Sequence, residues 1–225
     1  MHKSIANIVS CYLKEMSEED GMSLPINRYL GYVRNIAVNT DTGIKRFPFE
    51  GCNDTDSLCK DARNDKIGII HKNDAGVLWV EANNDLTIRK SAQGRHCLND
   101  KETTVRIVWI INHRRIQAVT DCICLHDYIN NLIASYLICI RANIGDCLTQ
   151  CDITLDSIKT VEVVTLAPNM QTIFGQYSES IFQAYTQYPF EFGAIDVKLS
   201  ISICEQQILS FTLNEGILCP VPIKV

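Results

Sequence analysis

The stretch TTVRIVWIINHRRIQAVTDCICLHDYINNLIASYLICIRA, residues 103–142, changes its hydrophobic period part-way along, and that change decides the fold. Val105, Ile107, Val108, Trp109, Ile110 and Ile111 form a β-branched and aromatic run too apolar to leave a face in water. This predicts a central strand covered on both sides. Asn112, His113, Arg114 and Arg115 interrupt it. From Ile123 the spacing is different: Leu125, Ile129, Leu132, Ile133, Tyr136, Leu137 and Ile140 recur every three or four residues, one apolar stripe along a helix. Asp121 or Asp127 falls where a carboxylate answers the unpaired amides of a first turn. Residues 143–145, Asn-Ile-Gly, supply the stop.

Beyond the helix, 143–156 reads as loop and 158–166 (IKTVEVVTL) as a strand, ended by Ala167, Pro168 and Asn169. Met170, Ile173, Phe174 and Tyr177 suit a short helix. Ile181, Phe182 and Tyr185 suit another turn of helix or an aromatic hook. In 192–204, Ile195, Val197, Leu199, Ile201 and Ile203 alternate with Asp196, Lys198, Ser200 and Ser202, the period of a strand with one face buried. The tail, with Pro220 and Pro222, does not suit a sheet interior.

On the other side, Ile5, Ile8, Val9, Tyr12, Leu13 and Met16 hold helical spacing, with Ser4 as N-cap and Gly21 as stop. Residues 29–39 predict a first strand. Residues 40–66 combine turn formers and charges with little apolar periodicity, which predicts a long loop or extended arm that contacts a partner. Two further strands are expected over 67–70 and 76–81, joined as a hairpin by HKNDAG, and a short one over 86–90. Residues 93–101 read as polar turn. The whole is expected to be one α+β domain over 1–225: a mostly antiparallel mixed sheet, an N-terminal amphipathic helix, one long helix packed across the sheet, and an arm at about 40–66.

At 225 residues the chain is long enough to bury a core without staples, and 46% of it is hydrophobic. The formal net charge of −5 gives no overall cationic field to attract nucleic acid. No apolar run is long enough to span a bilayer, and the N-terminus lacks the pattern of a secretory signal. The count of eleven cysteines is high but odd, and Cys11, Cys122, Cys124, Cys139 and Cys204 sit on expected elements, as small buried hydrophobes do in a reducing compartment.

Candidate chemistry is thin. Cys147 with Cys151, Cys52 with Cys59, Cys122 with Cys124, and His96 beside Cys97 all miss the repeated spacing of a structural zinc site. Asn53, Asp54, Asp56 and Asp61 lack the glycine and terminal glutamate of a calcium loop, since Cys59 and Asp65 fill those places. His71, His96, His113 and His126 have no glycine-flanked nucleophile to serve, and no glycine loop ends in Lys-Ser or Lys-Thr. Arg114 and Arg115 beside His113, with Arg89, Lys90 and Arg95, read as a solvated turn sooner than a basic edge, because aromatics do not interleave them. No catalytic, cofactor or metal residue is expected.

Two stretches carry a resemblance. SLPINRYLGYVRNIAVNTDTGIKRFPFE at 23–50 and QAYTQYPFEFGAIDVKLSISI at 183–203 resemble small structural proteins encoded beside the head–tail genes of phages of Bacteroidetes-type hosts. The order of elements is similar to that of tail-terminator and neck proteins. The resemblance implies a non-enzymatic virion protein, assembled in the host cytoplasm without cofactor. It would form a homo-oligomeric ring, hexameric or larger, between connector or portal and tail, with DNA only as passing cargo and no membrane partner. The interface residues it suggests are Arg46, Phe47 and Phe49 in the arm and Arg114 and Arg115 at the turn. The high cysteine count departs from it. Two other readings stay open: a cytosolic enzyme or metal-dependent domain using Cys147, Cys151 and a histidine, and a monomeric binding module whose arm orders on its partner.

Overall fold

The computed structural model describes residues 2–19, 24–50, 68–71, 73–82, 87–90, 98–116, 125–143 and 158–204. In chain order the elements are α1 (His2–Glu19), β1 (Arg28–Thr40), β2 (Gly43–Glu50), β3 (Gly76–Ala82), β4 (Thr87–Lys90), β5 (Leu98–Asn112) and α2 (Leu125–Asn143). They continue with β6 (Ile158–Leu166), two short helices, α3 (Met170–Phe174) and α4 (Glu179–Phe182), a 3-10 turn (Gln183–Thr186) and β7 (Phe190–Cys204). The strands form one sheet in the order β2-β1-β3-β5-β7-β6, with β4 continuing the line of β3 along β5. All pairs are antiparallel except β1 with β3. The expected α+β class is therefore the observed one.

The central strand predicted from the apolar run is the spine. β5 pairs along 15 residues with β7, and both its faces are covered. Val105, Ile107, Trp109 and Ile111 point to one side with Leu78, Val80, Ile195, Val197 and Leu199, where α1 and α2 lie on them. Val108 and Ile110 point to the other with Val77, Trp79, Phe192 and Ala194, beneath Ile173, Phe174, Tyr177, Phe182 and Tyr185. The molecule is thus three layers, with regular helices on one face and a strap of short turns, residues 170–186, on the other. Among the described residues no helix is long and apolar enough to cross a membrane.

α1 is pinned by serines as well as by its apolar stripe. Ser10 Oγ donates to the Leu30 carbonyl at 2.8 Å, and Ser17 Oγ accepts from the Leu24 amide at 3.2 Å and the Tyr29 hydroxyl at 2.9 Å. These bonds fix where β1 begins. Ser4 lies inside the helix, not at its N-cap, because the helix already starts at His2.

Several local expectations are corrected. The arm at 40–66 is in part strand: Asp41 and Thr42 form a two-residue turn, Gly43 takes φ +112°, and 43–50 folds back along β1. The backbone at Gly43 requires glycine, and the ladder outweighs a weak apolar alternation. Residues 51–66 lie outside the described residues. Residues 68–70 form a bend and not a strand, so no hairpin joins them to β3. The Gly68 amide is taken by the Pro48 carbonyl at 2.8 Å, and Asp74 closes a turn on His71. Residues 98–101, read as polar turn, extend β5 because β4 and β7 flank them and satisfy their backbone.

Candidate interaction surface

β1 pairs with β3 only from Arg28 to Tyr32; after an irregularity between Tyr29 and Tyr32, residues 33–40 pair with β2 alone. The hairpin therefore leaves the sheet as a two-stranded ribbon. One face of it carries Val33, Asn35, Ile44, Arg46 and Pro48; Ile36, Phe47 and Phe49 lie on the other. Ile44 is 69% exposed near the tip, Arg46 is exposed, and Phe47 and Phe49 are half-buried. So the three arm residues named from sequence sit on β2, and they do not share a face.

Arg114 and Arg115 lie in the turn after β5, both exposed. Arg114 places its guanidinium 5.6 Å from the ring centre of Tyr188, whose other neighbour is the His113 imidazole, stacked at 6.2 Å. His113 Nε2 meets Glu191 Oε2 at 2.8 Å, and its amide donates to the carbonyl of Pro189, which follows a cis peptide bond. Tyr188 is 74% exposed. The result is a cation–aromatic group on the surface, of the residue types that dominate protein interfaces.

The registers place these two groups at opposite ends of the sheet. The end of β5 pairs with the start of β3, where β1 also starts, while the ribbon extends past the end of β3. The structure does not bring Arg46, Phe47 and Phe49 together with Arg114 and Arg115. Arg89 and Lys90, on β4 against Asp100 and Asn99, lie toward the far end from Arg114, so the basic edge considered from sequence is not assembled. His96, Arg95, Cys147 and Cys151 lie outside the described residues.

The strap is tied to both sheet and ribbon by polar bonds. Glu81, only 6% exposed, accepts from Trp79 Nε1 at 2.7 Å, Tyr177 Oη at 2.6 Å and Gln176 Nε2 at 2.7 Å. Next to it in register stand Arg106 and Asp196, joined by two bonds of 2.7 and 3.0 Å, and Arg106 also donates to the Thr172 carbonyl at 3.0 Å. Asn35 Nδ2 reaches the Gln176 carbonyl at 2.5 Å. The Arg46 amide donates to Ser178 Oγ at 2.8 Å, and the Ser178 amide returns to the Arg46 carbonyl at 3.1 Å. Burial raises the pKa of Glu81 above the carboxylate range, opposed by the hydrogen bonds from Tyr177 and Trp79. Burial and the adjacent Glu81 charge push the Tyr177 phenol up, so it stays a donor. The Asp196 hydrogen bond raises Arg106 and keeps it charged.

A cleft of about 300 Å³ lies where α2 meets the end of β6, lined by His126, Asp127, Asn130, Asn131, Thr165, Leu166 and Ala167. Asn130 is committed inward, accepting from Trp109 Nε1 at 3.0 Å, and its amide faces the His126 ring at 3.2 Å. Asp127 sits in the first turn of α2, as one of the two acids expected there. Among the described residues no three metal-ligating side chains gather.

Tyr188 and Glu81 were not singled out in the sequence. For Glu81 the signal was there: two residues after Trp79 on a strand, it must share that residue's buried face. For Tyr188 there was none beyond its place before Pro189. No known protein-family pattern matches the chain, and no curated protein is significantly similar to it.

Proposed function

We propose that this chain is a non-enzymatic structural protein of the phage head–tail interface, neck or tail-terminator-like, which assembles as a ring joining the connector to the tail. The observation that carries the reading is the division of surface features. A β-ribbon with exposed Ile44 projects at one end of the sheet, and the Tyr188–Arg114 group occupies the other. A subunit set between two different neighbours needs two differently built surfaces. The buried acid Glu81 has its oxygens taken by three donors beneath the strap, as a structural anchor does. The net charge of −5 suits a channel wall past which DNA slides without sticking.

Light scattering of the purified protein, alone and with a connector protein, together with electron microscopy of the same peak, tests this. Closed rings with an axial opening are expected. A monomer under every condition that carries one equivalent of zinc overturns the reading and directs mutagenesis to Cys147 and Cys151.

A further inference from the structure

A ring needs a contact that runs from one surface of a subunit to a different surface of the next, and the two edges of this sheet are unlike in the way such a contact requires. The β2 edge is closed. Pro48 has no amide to offer, its carbonyl takes the Gly68 amide at 2.8 Å, and Arg46 exchanges bonds of 2.8 and 3.1 Å with Ser178. The β6 edge is open among the described residues. Among the described residues β6 pairs only with β7, and beyond the irregularity at 158–160 it contains no proline and a single charge, Glu162, which is held by Lys198 at 3.1 Å. Val164 on this strand is 37% exposed. A β-branched edge without proline or free charge is the kind that natural proteins leave only where another strand is to be added.

The described residues leave a second edge open elsewhere. Once β1 has parted from β3, the side of residues 33–40 that faced it has no strand partner among the described residues. Hydrogen bonds to Gln176 and Ser178 tie the ribbon to the strap. A two-stranded ribbon is marginal in water, and a third strand is what makes such a unit stable.

We propose that β6 of one copy adds as the third strand to the β1–β2 ribbon of a neighbouring copy, along residues 33–40. The proposal rests on the ring reading and names its subunit contact. The lengths agree: 160–166 spans about 23 Å and 33–40 about 26 Å at the usual rise. Main-chain hydrogen bonds supply the affinity, as in other strand additions. The β3-facing side of β1 beyond Tyr32 and the side of β6 away from β7 are different surfaces of one subunit, so each copy gives one and receives on the other. Repeated, that heterologous contact closes into a ring.

Two lysine substitutions test it, Val164→Lys on β6 and Ala37→Lys on the ribbon, both at surface positions. Sedimentation should show each variant alone as a monomer with unchanged circular dichroism. An equimolar mixture should form one-to-one pairs and nothing larger, because Ala37→Lys keeps a sound β6 and Val164→Lys a sound ribbon. If either variant loses its circular dichroism, Thr165→Lys or Asn39→Lys, also exposed, takes its place. Wild-type oligomers that persist in both variants, or that break in only one, overturn the strand addition and leave the ring reading standing. A wild-type chain that is monomeric even with a connector protein present overturns the ring reading itself.

Discussion

Each face of the sheet buries one tryptophan, and the two are held differently. Under α2, Trp109 hands its indole N–H to a neutral amide, Asn130, at 3.0 Å. Under the strap, Trp79 hands its own to a carboxylate, Glu81, at 2.7 Å. Regular helices satisfy their own backbone, so the layer of α1 and α2 needs little from the sheet but apolar contact. The strap consists of elements of four or five residues and leaves carbonyls without partners inside its own short helices. The sheet and ribbon answer them with Arg106 on Thr172 and Asn35 on Gln176. Irregular cover costs polar anchors, and among the described residues the groups with a shifted pKa, Glu81, Arg106, Tyr177 and Tyr185, all lie on this face.

The contrast breaks most deeply at Phe174. Its ring stacks on Phe182 at 4.3 Å and tilts against Phe192 at 5.1 Å and Trp79 at 6.3 Å. Phe174→Ala should cost about 3–5 kcal/mol in urea unfolding, and hydrogen exchange should rise first across 170–186 while α2 stays protected. Uniform loss of protection on both faces would show that the strap is no separate unit. The corresponding weak point on the helix face is Gly193, opposite Trp109. A Cβ there would lie 2.4 Å from Trp109 Cζ2. The indole is fixed by Asn130 and has nowhere to go, so Gly193→Ala should cost about 1–3 kcal/mol and disturb the near-ultraviolet signal of Trp109.

Tyr177→Phe is gentler. It leaves the ring among Phe182 and its neighbours but removes the 2.6 Å donor to Glu81, a loss of about 1–3 kcal/mol. Stability unchanged within error would mean that Trp79 and Gln176 alone satisfy the carboxylate.

The helix face was legible in the sequence and the strap face only in outline. Leu125, Ile129, Leu132, Ile133 and Tyr136 repeat at a period that only one conformation makes contiguous, and Ile195, Val197 and Leu199 do the same for a strand. Phe174, Tyr177, Phe182 and Tyr185 have no single period because the chain turns between them, so the sequence marked short helices there but not what they cover. β2 was missed for a related reason: Phe47, Pro48 and Phe49 in succession mask the alternation, and its regularity comes from β1, a partner no local window contains. The interface residues suggested from sequence turned out to be divided between the two ends of the sheet. Their separation depends on β1 running parallel to β3, a matter of topology that no spacing encodes.

The smallest expected effect, and the most specific, comes from Glu81→Gln. A glutamine oxygen still accepts from Trp79 and Tyr177, and the amide of Gln176 can turn to accept from the new NH₂, so stability near neutral pH should change by only about 1 kcal/mol. The pH profile should change more. Burial raises the Glu81 pKa above 4.5, so in the window just above that value the native state keeps a proton that the unfolded chain has already lost. Protein stability therefore falls as pH rises through this window, and below it Glu81 contributes no slope. Glutamine does not titrate. The difference in unfolding free energy between Glu81→Gln and wild type should accordingly move in favour of the variant between about pH 4 and the raised native value, then stay level. The same substitution in a Tyr177→Phe background should show a larger shift over a wider pH window, because one of the bonds that lowers the Glu81 pKa has gone. Parallel profiles for variant and wild type would mean that the Glu81 carboxylate is as well solvated by its three donors as by water, and the two faces of the sheet would then differ in shape but not in electrostatic cost.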